Sequence, residues 1–432
     1  MTPSASDRRQ LHLMDPEVME CPHRYYADLH ADPLPARDEG PAGWIVPGYR
    51  DLVALSGHPA LSNEFHGPGG MTLMGISPEP FSPQVRKLLG TMRPMANVML
   101  FSDPPTHTRT KALSYKALNP GRVRAMEPLI QRLVDMLIDT FVDDGECDLL
   151  EQFAVPLPAH LMGNLLGIDT AHLEDFKRWV DHTVMGVGDA LDNEQRLVVG
   201  RSIKEFQEYL LERIAARREM RTDDLLDAIV HAELTLDDVD ADGAVITGPR
   251  RLGESEILSI VIQLLGGGNH TTTQLISLTI AHLLANPAAM DAVRADPSLV
   301  GNALEETLRL DSPVQFGRRI VTAPVRVGEV EVPAGTTMGV CWGAAGHDPE
   351  VFPEPLRFDI HRENLRKHMS FGHGRHFCVG ANLARAEALI AVSTLLRRLE
   401  DIRLVEGTVL THIPSFTFTG LVSLPVTFTR SG

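Results

Sequence analysis

Phe371-Gly-His-Gly-Arg-His-Phe-Cys378-Val-Gly380 packs three glycines around one cysteine. Glycine lets a backbone adopt φ > 0 and come close to a flat ligand, and here two glycines precede the sulfur and one follows it. Immediately downstream Leu389, Val392, Leu396 and Leu399 recur at intervals of three, four and three, which predicts a helix with one apolar face. A thiolate at the start of that helix gains from the positive end of the dipole and from unpaired N–H groups. Both effects keep it deprotonated and available to a metal. Two other readings stand beside this one: a buried structural cysteine in a glycine-rich turn, or a zinc ligand grouped with His373 and His376. No second cysteine sits at zinc-ligand spacing.

The 432 residues, 43% of them hydrophobic, suffice for a large core. No linker, charge block, low-complexity tract or fixed-period repeat divides them, so one domain over 1–432 is expected. Asp7, Arg8, Arg9, Asp15, Glu17 and Glu20 leave no apolar signal-peptide core in the first twenty residues. The longest apolar runs, such as Ile257 to Leu265, fall short of the roughly 20 residues that a bilayer demands. Cys21, Cys147, Cys341 and Cys378 are scattered without CxxC pairs, which fits a reducing cytoplasm. A formal charge of −17 argues against a nucleic-acid partner. No membrane association is expected either.

Trp44-Ile-Val reads as a short strand among surface elements. Residues 61–100, rich in Gly, Pro and Met, read as a long adaptable connection. From Pro120 to about Ala285 helical spacing dominates, as in Leu129, Leu133 and Leu137 or Phe206, Leu210 and Ile214. Glu254 to Ala285 reads as one helix of 32 residues ended by Asn286-Pro287. Gly266, Gly267 and Gly268 in its middle each cost about 1 kcal/mol relative to alanine, so the close approach of a ligand is the expected reason for them. Threonines 271–273 can bond back to earlier carbonyls and open a local bulge there. Val325-Arg-Val-Gly-Glu-Val-Glu-Val332 predicts a small hairpin, and the alternating tail Phe416 to Val426 predicts strand. The fold class is mainly α with small β-sheets.

The cysteine segment resembles the F-G-x-G-x-H-x-C-x-G signature of the cytochrome P450 family at every defined position, and the likeness continues through Ala381, Leu383, Ala384 and Arg385. Other family patterns follow in order. Glu306-Thr-Leu-Arg309 is similar to its E-x-x-R pair, and Pro355-Leu-Arg357-Phe358 to its P-x-R-F segment, whose arginine joins that pair. Gly267 to Thr272 resembles the oxygen-binding A/G-G-x-D/E-T-T motif, with Thr271 on the family's threonine and His270 in place of its acid. Asp103-Pro-Pro-Thr-His107-Thr-Arg-Thr-Lys111 is similar to D-P-P-x-H-T-x-x-R, with lysine for the last arginine. Gly343-Ala-Ala-Gly-His-Asp348-Pro349-Glu-Val-Phe352 resembles A-N-R-D-P-x-x-F, with glycine and histidine for the asparagine and arginine.

The resemblance implies the cytochrome P450 fold, a long central helix over haem b, and Cys378 as the axial thiolate, which favours O–O cleavage. It assigns Phe371, Gly372, Gly380 and Gly267 to the cofactor's surroundings and His107, Lys111, Arg319 and His376 to its propionates, with Arg318 able to exchange with Arg319. Glu306, Arg309 and Arg357 are implied as structural. Thr271 and His270 are the implied catalytic residues, and His270, with an ordinary pKa near 6.5, either relays protons or turns toward solvent.

The implied activity is hydroxylation of a lipophilic small molecule by O2. Electrons come from NAD(P)H through ferredoxin reductase and ferredoxin, because the chain shows no flavin or nucleotide-binding fingerprint of its own. Arg375, Lys116, Arg122 and Arg124 are candidates for docking an acidic carrier. Met71, Met74, Val184, Met185, Leu264, Val314, Phe316, Phe416 and Phe418 are the expected pocket lining, which suits a terpenoid, fatty acyl or polyketide-like compound of secondary metabolism. Because His270 replaces an acid, a peroxygenase, an oxidative coupling or cleavage enzyme, or nitrogen-oxide chemistry is the alternative. A haem-based sensor without turnover stands further off.

Overall fold

The spacing of apolar residues by three and four is realised as helix over most of the chain. A computed structural model describes residues 11–31, 35–37, 43–64, 80–93, 99–168, 172–188, 191–222, 224–234, 238–239, 245–246 and 250–431. Two compact units emerge: one of Met1–Asn63, Glu127–Leu157 and Thr271–Gly432, the other of Glu64–Met126 and Pro158–His270. Three of their four boundaries fall inside helices, Pro120–Asp139, Pro156–Leu165 and Glu254–Ala285.

The first unit holds the sheets that the hairpin and the N-terminal strand foretold. Its five-stranded sheet runs in the order Ala36–Arg37, Trp44–Val46, Thr337–Cys341, Phe316–Val321, Leu61–Ser62. The Trp44–Val46 and Thr337–Cys341 pair is parallel and the other pairs are antiparallel. Val46, Val321, Met338 and Val340 from this sheet close over Leu52 and Leu55, the main apolar cluster on that side. The hairpin forms between Val325–Val327 and Val330–Val332, turned by Gly328 at φ 57°. A second sheet joins Leu399–Leu404, Pro425–Arg430 and Glu146–Asp148. The helices Val300–Leu310 and Ala381–Arg398 pack against each other and carry the chemistry described below.

The second unit is built on Leu173–Gly188 and Asn193–Glu219, whose Trp179 and Phe206 rings stack at 5.2 Å. Asp192 and Gln195 form a reciprocal capping box at the start of the longer one. Pro83–Leu89, Thr106–Ala117, most of Pro156–Leu165, Leu225–Val230 and the first half of Glu254–Ala285 also belong to it.

Three expectations are corrected. The 61–100 stretch contains a helix, Pro83–Leu89, because Ser82 caps it by accepting from Val85 N and Pro83 fills the first turn, where an N–H is not needed. The tail is not strand from Phe416: it makes only isolated bridges, Val314 with Phe418 and His412 with Leu421, and ladder pairing begins at Pro425. Glu254–Ala285 is continuous α-helix through the glycines and threonines, without the bulge. Among the described residues no single helix is long and apolar enough to cross a membrane.

Candidate functional site

Cys378 lies two residues before Gly380, the residue that precedes the helix Ala381–Arg398. Its loop is held by backbone bonds: Gly372 N donates to Met369 O at 2.7 Å, Phe377 N to Gly374 O at 3.1 Å, and Cys378 N to Phe371 O at 2.8 Å. Gly372 and Gly374 take φ of 71° and 67°, so glycine is required there by the backbone itself. A Cβ on Gly380 would meet Cys378 Sγ at 3.8 Å, an ordinary contact, so the chain's own packing does not demand that third glycine.

The thiol side chain is exposed, whereas Cys147 and Cys341 are buried, which removes the structural-core reading of Cys378. Among the described residues no three His, Cys, Asp or Glu side chains assemble as metal ligands, so the zinc reading lacks donors. A single exposed thiol at a helix start suits a metal whose other positions are filled by its own macrocycle. The site therefore fits haem.

Two buried acids on Val300–Leu310 hold the backbone on either side of that loop: Glu306 reaches residues 359–362 and Glu305 reaches His368 and Arg385. Glu306 and Arg309 are fully buried and doubly paired, Nε to Oε2 and Nη2 to Oε1, both at 2.8 Å. Arg309 also donates to the carbonyls of Gly346 (2.8 Å), Pro355 (2.7 Å) and Arg357 (3.2 Å), so nothing polar is left unsatisfied at this fork. The assignment of Arg357 as third member is corrected. Its side chain points out to Glu354 at 3.2 Å and is 61% exposed, and only its carbonyl joins the network. The guanidinium that reaches Glu306 is that of Arg362, Nε to Oε1 at 2.9 Å, with Pro353, Glu354 and Arg357 carbonyls as its other acceptors.

Glu305, next to Glu306, belongs to none of the sequence patterns. It accepts from Arg385 at 2.6 and 2.9 Å and from His368 Nε2 at 3.0 Å. Arg385 in turn lies 4.3 Å over the ring of Phe371. An acid beside the expected Glu306 on a helix with Leu304 and Leu308 was the available signal.

Arg319 and His376 are brought together: both line one cleft with Ser56, Trp342, Gly372 and His373. Arg319 Nη1 donates to Arg318 O at 2.8 Å, and Asn63 Nδ2 lies 3.1 Å from the His376 ring nitrogens. Two basic side chains beside Gly372 of the cysteine loop suit the acidic edge of a cofactor. In the second unit His107 and Lys111 stand four residues apart on Thr106–Ala117, hence on one face, with His107 buried and Lys111 partly so. Arg109 on the same helix is buried against Glu256; Arg109 falls on an undefined position of its sequence pattern and Glu256 on none.

On the long helix Gly267 is exposed, and a Cβ on Gly267 or Gly268 would meet nothing within 4 Å, while one on Gly266 would meet Thr183 Cγ2 at 3.3 Å. Thr271 is partly exposed. His270 has its Nδ1 shut off from solvent, and burial lowers its pKa to about 4, so its imidazole is neutral at pH 7. Of the expected pocket residues, Val314 and Phe418 pair in a bridge, and Phe316 and Phe416 meet edge to face at 6.0 Å. Leu264 is buried, and Met185 packs against the core group of Leu191, Val199 and Ile203. Met71 and Met74, and the side chain of Val184, lie outside the described residues.

A family profile described as Cytochrome P450 matches residues 189–406. The chain is similar to Cytochrome P450 107B1 of Saccharopolyspora erythraea, 37% identical over 385 residues that cover 88% of each chain. It is similar to the 6-deoxyerythronolide B hydroxylase of the same organism, 33% identical over 87% of this chain and 88% of that one. Among solved structures it is similar to P450BioI in complex with hexadec-9Z-enoic acid ligated acyl carrier protein, with a TM-score of 0.81 and 27% identity over 95% of this chain and 100% of that one.

Proposed function

The chain belongs to the cytochrome P450 family, oxygen-incorporating oxidoreductases that bind haem, and from that premise we propose that it hydroxylates a lipophilic small molecule, with Cys378 as the thiolate that would hold the haem iron. The observation that carries this reading is the cysteine loop, where two obligatory positive-φ glycines present an exposed thiol just ahead of a helix. When bound, haem supplies the oxygen-activating chemistry. Arg319 and His376, which line one cleft, would hold its acidic edge, and His107 and Lys111 remain assigned to it by resemblance. Glu306, Arg309 and Arg362 hold the surrounding backbone rather than touching the reaction.

The proposed wall for substrate is apolar: partly exposed Val314 and Phe418, backed by the buried rings of Phe316 and Phe416. Relatives named for 6-deoxyerythronolide B and crystallised with a hexadecenoyl carrier protein agree with that class. Electrons reach the site from NAD(P)H through a ferredoxin reductase and a ferredoxin, with exposed Arg375 on the cysteine loop as a docking cation. Residues 1–432 work as one domain. Cys378→Ser is the direct test: the reduced, CO-treated holoprotein should lose the thiolate-type band, and its persistence would remove Cys378 as ligand.

A second reading has its own support. Neutral, enclosed His270 cannot carry the charge of the acid that it replaces, so proton delivery on the Thr271 side differs from the family pattern and less coupled or atypical oxidation follows. Reconstitution with ferredoxin and reductase separates the two. A coupled hydroxylase consumes O2 and NAD(P)H in proportion to product, whereas the second reading predicts an excess of both.

A further inference from the structure

Gln274 is a buried amide in an apolar stretch of the long helix, 3% exposed and followed by Leu275 and Ile276. Such an amide is costly to bury unless both ends are hydrogen-bonded. Here both are, and to the same residue: Leu421 N donates to Oε1 at 2.8 Å and Nε2 donates to Leu421 O at 3.2 Å. Ser277 Oγ, whose shortest bond goes to Thr273 O at 3.0 Å, also lies 3.2 Å from Oε1. The side chain thus pairs with the tail as one residue of a β-ladder would. The approach is close enough to dictate the neighbour, because a Cβ on Gly420 would fall 2.1 Å from Gln274 Cδ.

The tail segment held this way is a hairpin-like loop. Ile413 N donates to Gly420 O at 2.9 Å and Val422 N to Thr411 O at 3.0 Å, leaving residues 414–419 as its tip. That tip is bonded to the segment after Val300–Leu310: Gln315 N to Thr417 O at 2.9 Å and Thr419 N to Pro313 O at 3.1 Å. Val314, Phe316, Phe416 and Phe418 therefore form one hydrogen-bonded body. Gln274 ties that body to the helix three residues after Thr271, a spacing that puts the two side chains on one helical face.

We infer that Gln274 is a positioning residue for substrate specificity: it sets how far the apolar Val314/Phe316/Phe416/Phe418 wall stands from Thr271. This rests on the pocket assigned to that wall in the proposed function. The consequence is selective. A clamp on the wall should matter for a ligand that touches the wall and be silent for one too small to reach it.

The test uses holoprotein of the wild type, Gln274→Met, which keeps length but removes both bonds, and Gly420→Ala, which pushes the loop off an intact Gln274. Imidazole and 4-phenylimidazole are titrated spectrally at the haem. Both variants should keep the thiolate-type CO band and bind imidazole like the wild type, while 4-phenylimidazole affinity shifts about tenfold or more. An equal shift for both ligands, or none for either, in a variant with intact haem overturns the clamp. If Gln274→Met fails to load haem, Gly420→Ala decides alone by the same comparison. A wild type that lacks the thiolate-type band would instead overturn the haem-thiolate reading on which the clamp depends.

Discussion

Replacing Glu305 by glutamine isolates one charge beneath the cysteine loop. Burial opposes ionisation of this carboxyl, yet hydrogen bonds from Arg385 and His368 overcome it and bring the pKa from 4.5 to about 2. His368 is itself pushed down by burial. Its Nδ1 accepts from Ser370 N at 3.2 Å, so the proton sits on Nε2, facing Glu305. A depression of that size is worth about 3 kcal/mol of stability. The contribution is whole above pH 4.5, the ordinary value of the group, and fades as the pH falls toward about 2. Glu305→Gln should therefore cost about 3 kcal/mol in urea denaturation of the holoprotein at pH 7, and the gap to wild type should narrow steadily below pH 4.5. Because Arg385 covers Phe371, whose carbonyl takes the Cys378 N–H, the variant should also show a smaller thiolate-type fraction in its CO spectrum. A loss under about 1 kcal/mol, the level of an exposed ion pair, or a gap that stays constant into the acid range, would refute this reasoning.

Arg362→Ala should cost about 3 kcal/mol, because it strands part of buried Glu306, while Arg357→Ala should cost less than about 1 kcal/mol; paired urea curves check the order. Glu387 is a buried carboxyl whose Oε1 has no hydrogen-bond partner among the described residues, and burial raises its pKa to about 8. Wild-type stability should therefore fall as pH rises from 4.5 toward about 8, and Glu387→Gln should remove that slope, as read by midpoints across the window. Cys21 is exposed with its pKa lowered by a hydrogen bond to His23, whereas burial pushes Cys147 and Cys341 up to about 12. Iodoacetamide followed by peptide mass spectrometry should find Cys21 modified well before those two, and His23→Ala should slow it.

What could be read from sequence divides along a physical line. Glu254–Ala285 was legible end to end, because 32 residues of apolar spacing closed by Asn-Pro leave one conformation that satisfies the backbone. Its glycines and threonines did not open a bulge: each glycine's cost is local, and an otherwise intact ladder absorbs it. The Phe416–Val426 alternation becomes strand only from Pro425, for a different reason. Alternation says that every second residue is covered, and a loop clamped by Gln274 and bridged to Val314 covers them as a sheet would, without ladder partners in the sequence nearby. Arg357 and Arg362 were indistinguishable in the same way. Both lie within reach of Glu306 along the chain, and only the path of residues 353–362 decides which guanidinium turns inward. His270 is the sharpest instance. Its identity was plain and its departure from the family pattern was visible, but whether an imidazole near neutrality carries a proton depends on enclosure, a property of the folded surroundings and not of the residue. With Nδ1 shut off from solvent and the pKa lowered to about 4, the ring is neutral at pH 7. A wild-type coupling ratio that changes between about pH 5 and pH 8 in step with a titrating histidine, and flattens in His270→Asn, would show that the ring still takes up protons there.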